Sequence, residues 1–85
     1  KAFFKILVYP NPAGEFIHFS ISGSINTSRT KITLVNVFGQ TCAEIILPAG
    51  QQEVSIPVEY LTAGVYSYIL INQQITKCGK ILISK

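Results

Sequence analysis

Glu15-Phe16-Ile17-His18-Phe19-Ser20-Ile21-Ser22 decides the fold. Ile17, Phe19 and Ile21 fall on one side of this stretch, and Phe16, His18, Ser20 and Ser22 on the other. Side chains along a strand alternate with a period of two, so the stretch buries one face and leaves the other mostly wet, as an antiparallel strand does. Similar runs recur on both sides of it. Upstream lies Phe4 to Tyr9, ended by Pro10-Asn11-Pro12-Ala13-Gly14, where two prolines and a glycine remove ladder donors and favour a turn. Downstream, the polar Gly23 to Thr30 reads as a surface loop, followed by runs Lys31 to Phe38, Thr41 to Leu47 and Gln52 to Val58. Gly39-Gln40 and Pro48-Ala49-Gly50 separate these runs, glycine accepting a positive φ without strain. Pro57 cannot donate to a ladder, which puts its strand at an edge or ends it there. Leu61-Thr62-Ala63-Gly64 turns the chain into Val65 to Asn72, and a hairpin-like loop at Asn72-Gln73-Gln74 leads to Ile75 to Ser84.

Seven short runs at this spacing, with helix signals almost absent, predict an all-β fold: an immunoglobulin-like antiparallel β-sandwich of about seven strands in two sheets. The alternation assigns Ile6, Val8, Ile17, Phe19, Ile21, Ile32, Leu34, Val54, Ile56, Ile69, Ile71, Ile81 and Ile83 to its core. A one-residue slip in any strand would exchange its two faces.

Eighty-five residues make one domain, near the lower end of what holds a core without metals or disulfides. Hydrophobic residues are 48% and charged ones only 13%, the reverse of a disordered tail. The net charge of +3 is mild, and the cations do not interleave with aromatics as in a nucleic-acid binder. Lys77, Lys80 and Lys85 cluster near the end. The longest uncharged stretch, Tyr60 to Thr76, is too short for a typical helical span and contains Asn72, Gln73 and Gln74. No signal peptide opens the sequence, which reads as a piece of a longer protein.

Catalytic chemistry finds no constellation. His18 is the single imidazole, on the polar side of its strand, and no Asp exists to orient it. Glu15, Glu44, Glu53 and Glu59 are scattered, one per segment, and suggest no paired carboxylates. Cys42 and Cys78 with one His make no zinc site, and a calcium loop would want Asp. No catalytic residue, metal site or cofactor is expected. Tyr66 and Tyr68 share one face of a strand and would make a small sugar platform if exposed. The competing reading makes Tyr66 a corner residue, its hydroxyl bonded to backbone of the preceding turn, with Tyr68 covering the sheet.

Four segments, in order, resemble the type A C-terminal sorting domains of the type IX secretion system of Bacteroidetes. They are Val8-Tyr9-Pro10-Asn11-Pro12, the run Ile32 to Gln40, Leu61-Thr62-Ala63-Gly64-Val65-Tyr66, and Gly79 to Lys85. The resemblance implies a secretion and sorting signal directing an upstream, covalently linked passenger through the periplasm to the outer-membrane surface or the medium. Its implied partners are the translocon and a sortase-like peptidase that usually removes the domain. Recognition would fall on Tyr9, Pro10, Asn11, Pro12, Leu61, Gly64, Tyr66, Gly79, Lys80 and Lys85. Cys42 and Cys78 depart from the family pattern; they read as buried free thiols or, in an oxidising compartment, as a pair. The rival readings are a fibronectin-like or carbohydrate-binding sandwich module, and a structural spacer.

Overall fold

The computed structural model describes residues 4–9, 14–23, 29–72 and 75–84. They form seven strands: β1 (Phe4–Tyr9), β2 (Phe16–Gly23), β3 (Thr30–Val35), β4 (Thr41–Leu47), β5 (Glu53–Pro57), β6 (Gly64–Asn72) and β7 (Ile75–Ile83). Among the described residues there is no helix. All pairings are antiparallel, in a three-stranded sheet β1-β2-β5 and a four-stranded sheet β4-β3-β6-β7. In an immunoglobulin constant-type domain the fourth strand pairs with the fifth; here it stays beside the third. The expected all-β sandwich of seven strands is the observed one.

The inner faces meet as the alternation of β2 requires. Ile17, Phe19 and Ile21 are fully buried, with Val8 and Val54 beside Phe19 across the ladders. From the other sheet Ile32, Leu34, Leu70, Ile81 and Ile83 close over them, and the Tyr68 ring meets Phe19 edge-on at 5.3 Å. Each fully buried aliphatic or aromatic side chain contributes roughly 1.5–3 kcal/mol of transfer free energy. At one end of the core Asn72 Nδ2 donates to Thr30 Oγ1 (3.0 Å), so these two buried polar side chains bond each other.

Two expectations are corrected. β6 buries Tyr66, Leu70 and Asn72 and turns Ile71 outward, 44% exposed, with Ile69 only half-buried. The anchored Tyr66 sets the phase of the strand, and a period of two then forces 68, 70 and 72 inward. β3 stops at Val35 rather than Phe38 because Asn36 builds a turn. Its Oδ1 accepts from the backbone N–H groups of Phe38 (2.9 Å) and Gln40 (3.0 Å), while Gly39 turns at φ +81°. Val37 and Phe38 are thereby thrust into solvent at 72% and 82% exposure.

The cysteines do not pair. Cys42 sits in β4 and Cys78 in β7, on opposite edges of one sheet with β3 and β6 between them. Three interstrand spacings of about 4.8 Å put them about 14 Å apart, well past the ~7 Å limit for a bridge. Pro57 lies at the end of β5, an edge strand, where its missing N–H costs no ladder bond.

Candidate functional site

Three of the four segments singled out in the sequence come together at one pole of the sandwich. β6 begins at Gly64, which pairs with Ile83, and Tyr66 pairs with Ile81, so the Leu61–Tyr66 turn is laced to the end of β7. Gly64 adopts φ +152°, a backbone geometry that favours glycine. The start of β2 arrives at the same place: a Cβ built on Gly14 would lie 3.5 Å from the Ser84 carbonyl oxygen. The Val58 N–H donates to the Glu15 carbonyl (2.8 Å), tying the end of β5 to this pole as well.

Tyr66 is the anchor. It is 6% exposed, and its hydroxyl donates to the Thr62 carbonyl at 2.7 Å, with Thr62 Oγ1 at 3.2 Å. Leu61 is buried below it, its N–H donating to the Val58 carbonyl at 3.0 Å. These residues hold the pole's shape; little of their own surface is displayed. Tyr68 on the same face packs against Phe19, so Tyr66 and Tyr68 make no sugar platform.

What the pole does display is apolar. Val37 and Phe38 project from the β3–β4 turn, beside a crevice of about 150 Å³ that reaches Thr62, Ala63 and Val65. Sequence reasoning missed Val37 and Phe38 by leaving them in a strand; the signal was the Asn36-x-x-Gly39 spacing of a side-chain-capped turn. Tyr9 stands apart, on the outer face of the three-stranded sheet, its ring stacked on His18 at 5.3 Å, and the Phe16 ring also stacks on His18, at 6.3 Å. His18 also shares a hydrogen bond with Ser55 Oγ, a structural use for the single imidazole.

β7 forms the edge of the four-stranded sheet, and among the described residues no strand lies on its outer side. Gly79 faces inward opposite Tyr68, and a Cβ there would come within 2.6 Å of the Tyr68 ring. Lys80 points to the outer face and is exposed. Pro10, Asn11, Pro12 and Lys85 lie outside the described residues. Among the described residues no group of three or more His, Cys, Asp or Glu side chains is placed to hold a metal ion.

A family model described as the secretion system C-terminal sorting domain matches residues 7–84. No curated protein matches the chain.

Proposed function

Because the chain belongs to the secretion system C-terminal sorting domain family, signals for type IX secretion rather than enzymes, we propose that it carries a covalently linked upstream passenger out of the cell and is itself the element the machinery reads. Family membership implies export to the cell surface or release, and engagement with the type IX machinery. The finer reading is that residues 1–85 form the single sorting domain of a larger secreted protein, which passes through the periplasm. Translocon components then bind the domain at the outer membrane, and a sortase-like peptidase removes it.

The observation that carries this reading is the convergence of the Leu61–Tyr66 turn, the approach to β2 and the end of β7 on one pole. A receptor meeting that pole finds the exposed Val37-Phe38 tip and β7, the edge of its sheet among the described residues, to which a strand could be added. In this reading Leu61, Gly64, Tyr66 and Gly79 present the terminal strand in one register. Lys80 and Lys85, with the Tyr9-Pro10-Asn11-Pro12 segment, are read directly. The test is gain of export. A periplasm-targeted reporter carrying this chain at its C-terminus should appear outside a type IX-competent cell and stay in the periplasm of a translocon-deficient one. A reporter that stays inside both hosts refutes the proposal.

A further inference from the structure

The two ends of the sheets at one lateral side of the sandwich, β1 and β7, leave a cavity of about 260 Å³ between them, lined by Lys5, Ile6, Tyr68, Lys77 and Cys78. Among the described residues that line it, the charged side chains are both lysines. No Asp or Glu occurs in residues 1–14 or 60–85, so β1, β6 and β7 contribute none. The carboxylates within strands, Glu44 and Glu53, lie on β4 and β5, the edge strands of the opposite side. Burial of the Tyr68 ring, and secondarily the charge of Cys78, raise its phenol above the ordinary value, so at neutral pH it remains a hydrogen-bond donor. Two lysines, a tyrosine and the apolar Ile6 thus line one opening, beside an edge strand.

We infer that this lateral edge binds an extended acidic segment of a partner protein, which pairs with β7 as an added strand and sets a carboxylate in the cavity between Lys5 and Lys77. Main-chain bonds along β7 supply the generic part of such an association, and the side-chain pocket supplies selectivity. Charge complementarity at the rim favours acidic over basic segments and speeds encounter. Lysines on an edge also discourage edge-to-edge aggregation. That role alone needs neither a cavity nor the clearing of carboxylates from all three neighbouring strands.

The inference rests on the reading of β7 as the strand the machinery docks, and the experiment separates the two. The isotope-labelled chain is titrated with a blocked heptapeptide alternating Val and Glu, and with its Val–Lys counterpart. The Val–Glu peptide is expected to give saturable amide shifts along Thr76 to Lys80 and at Lys5 and Ile6. Lys5→Glu with Lys77→Glu is expected to weaken it by about tenfold or more and to shift preference to Val–Lys, with an unchanged unfolding midpoint. Equal binding of both peptides, shifts elsewhere, or equal shifts from sodium glutamate alone overturn the inference. In the export assay, a double variant exported like the parent also overturns it while leaving the sorting function intact. A parent chain that exports nothing refutes the sorting function, and the titration still decides the edge.

Discussion

Tyr68 lies directly across the β6–β7 ladder from Gly79, with its ring where a side chain at Gly79 would have to be. The ring atoms Cε2 and Cζ and the hydroxyl Oη would fall 2.6–2.8 Å from a Cβ there, below any normal contact. Gly79→Ala should therefore displace the ring from its edge-on contact with Phe19. The expected cost is about 1–2 kcal/mol, at the lower end of overpacking because the far end of a side chain can move. Much of that loss should disappear when the substitution is made in a Tyr68→Leu background, since the two sites couple. A urea-denaturation cycle over the four proteins measures it; strict additivity would show that the ring does not depend on the missing side chain.

Tyr66→Phe should lose about 0.5–1.5 kcal/mol, the net value of one hydrogen bond, because the hydroxyl of the buried Tyr66 donates to the Thr62 carbonyl in a part-buried corner. Thr62→Val should cost less, since the main acceptor is the Thr62 backbone and not its side chain. Equilibrium unfolding that ranks the two variants the other way would contradict this geometry.

Alkaline pH should act through Tyr68. Its phenol is raised above the usual value of about 10. Between that value and the raised one, the unfolded chain has released a proton that the folded chain keeps. The stabilisation is therefore whole below about pH 10 and declines as pH rises through the folded value. Thermal melts from about pH 9 to 11 should show a shallower decline for Tyr68→Phe than for the parent; parallel slopes would rule this out.

Reductant should leave the unfolding midpoint unchanged, because Cys42 and Cys78 are free thiols on opposite sheet edges. Exposed Cys78 should label with a thiol reagent faster than the half-buried Cys42. A midpoint that falls on reduction would mean an intramolecular bridge and a different strand order.

The fold was largely legible because β2 alternates without interruption and prolines and glycines punctuate the rest. β1 and β4 fall where their residue runs end, and the edge position of Pro57 followed from its missing donor. The phase of β6 was misread. Ile69, Leu70 and Ile71 are all apolar, so alternation gives no signal there, and the deciding contact is the Tyr66 hydroxyl four residues back along the chain from Leu70. Expecting a buried Tyr66 beside an inward Ile69 and Ile71 was inconsistent, because an even and an odd position cannot share a face. At the candidate site, the turn and the terminal strand could be picked out, but not their meeting at one pole. Nor could the cavity between Lys5 and Lys77 be foreseen: strand order across two sheets is a tertiary property, and the two lysines are far apart in sequence.

Export is the most direct test of the sorting role. A periplasm-targeted reporter is fused ahead of the intact chain, of a form lacking Lys80 to Lys85, and of the Lys80→Ala, Lys85→Ala form, and is followed in cells, periplasm and medium of a type IX-competent host. The intact chain should deliver the reporter to the surface or medium, and the deleted form should leave it in the periplasm. The alanine form should export poorly while melting like the parent, since exposed charges such as Lys80 contribute only about 0–1 kcal/mol to stability. Export of the deleted form at the level of the intact one would contradict the claim that this chain's terminal strand is the signal.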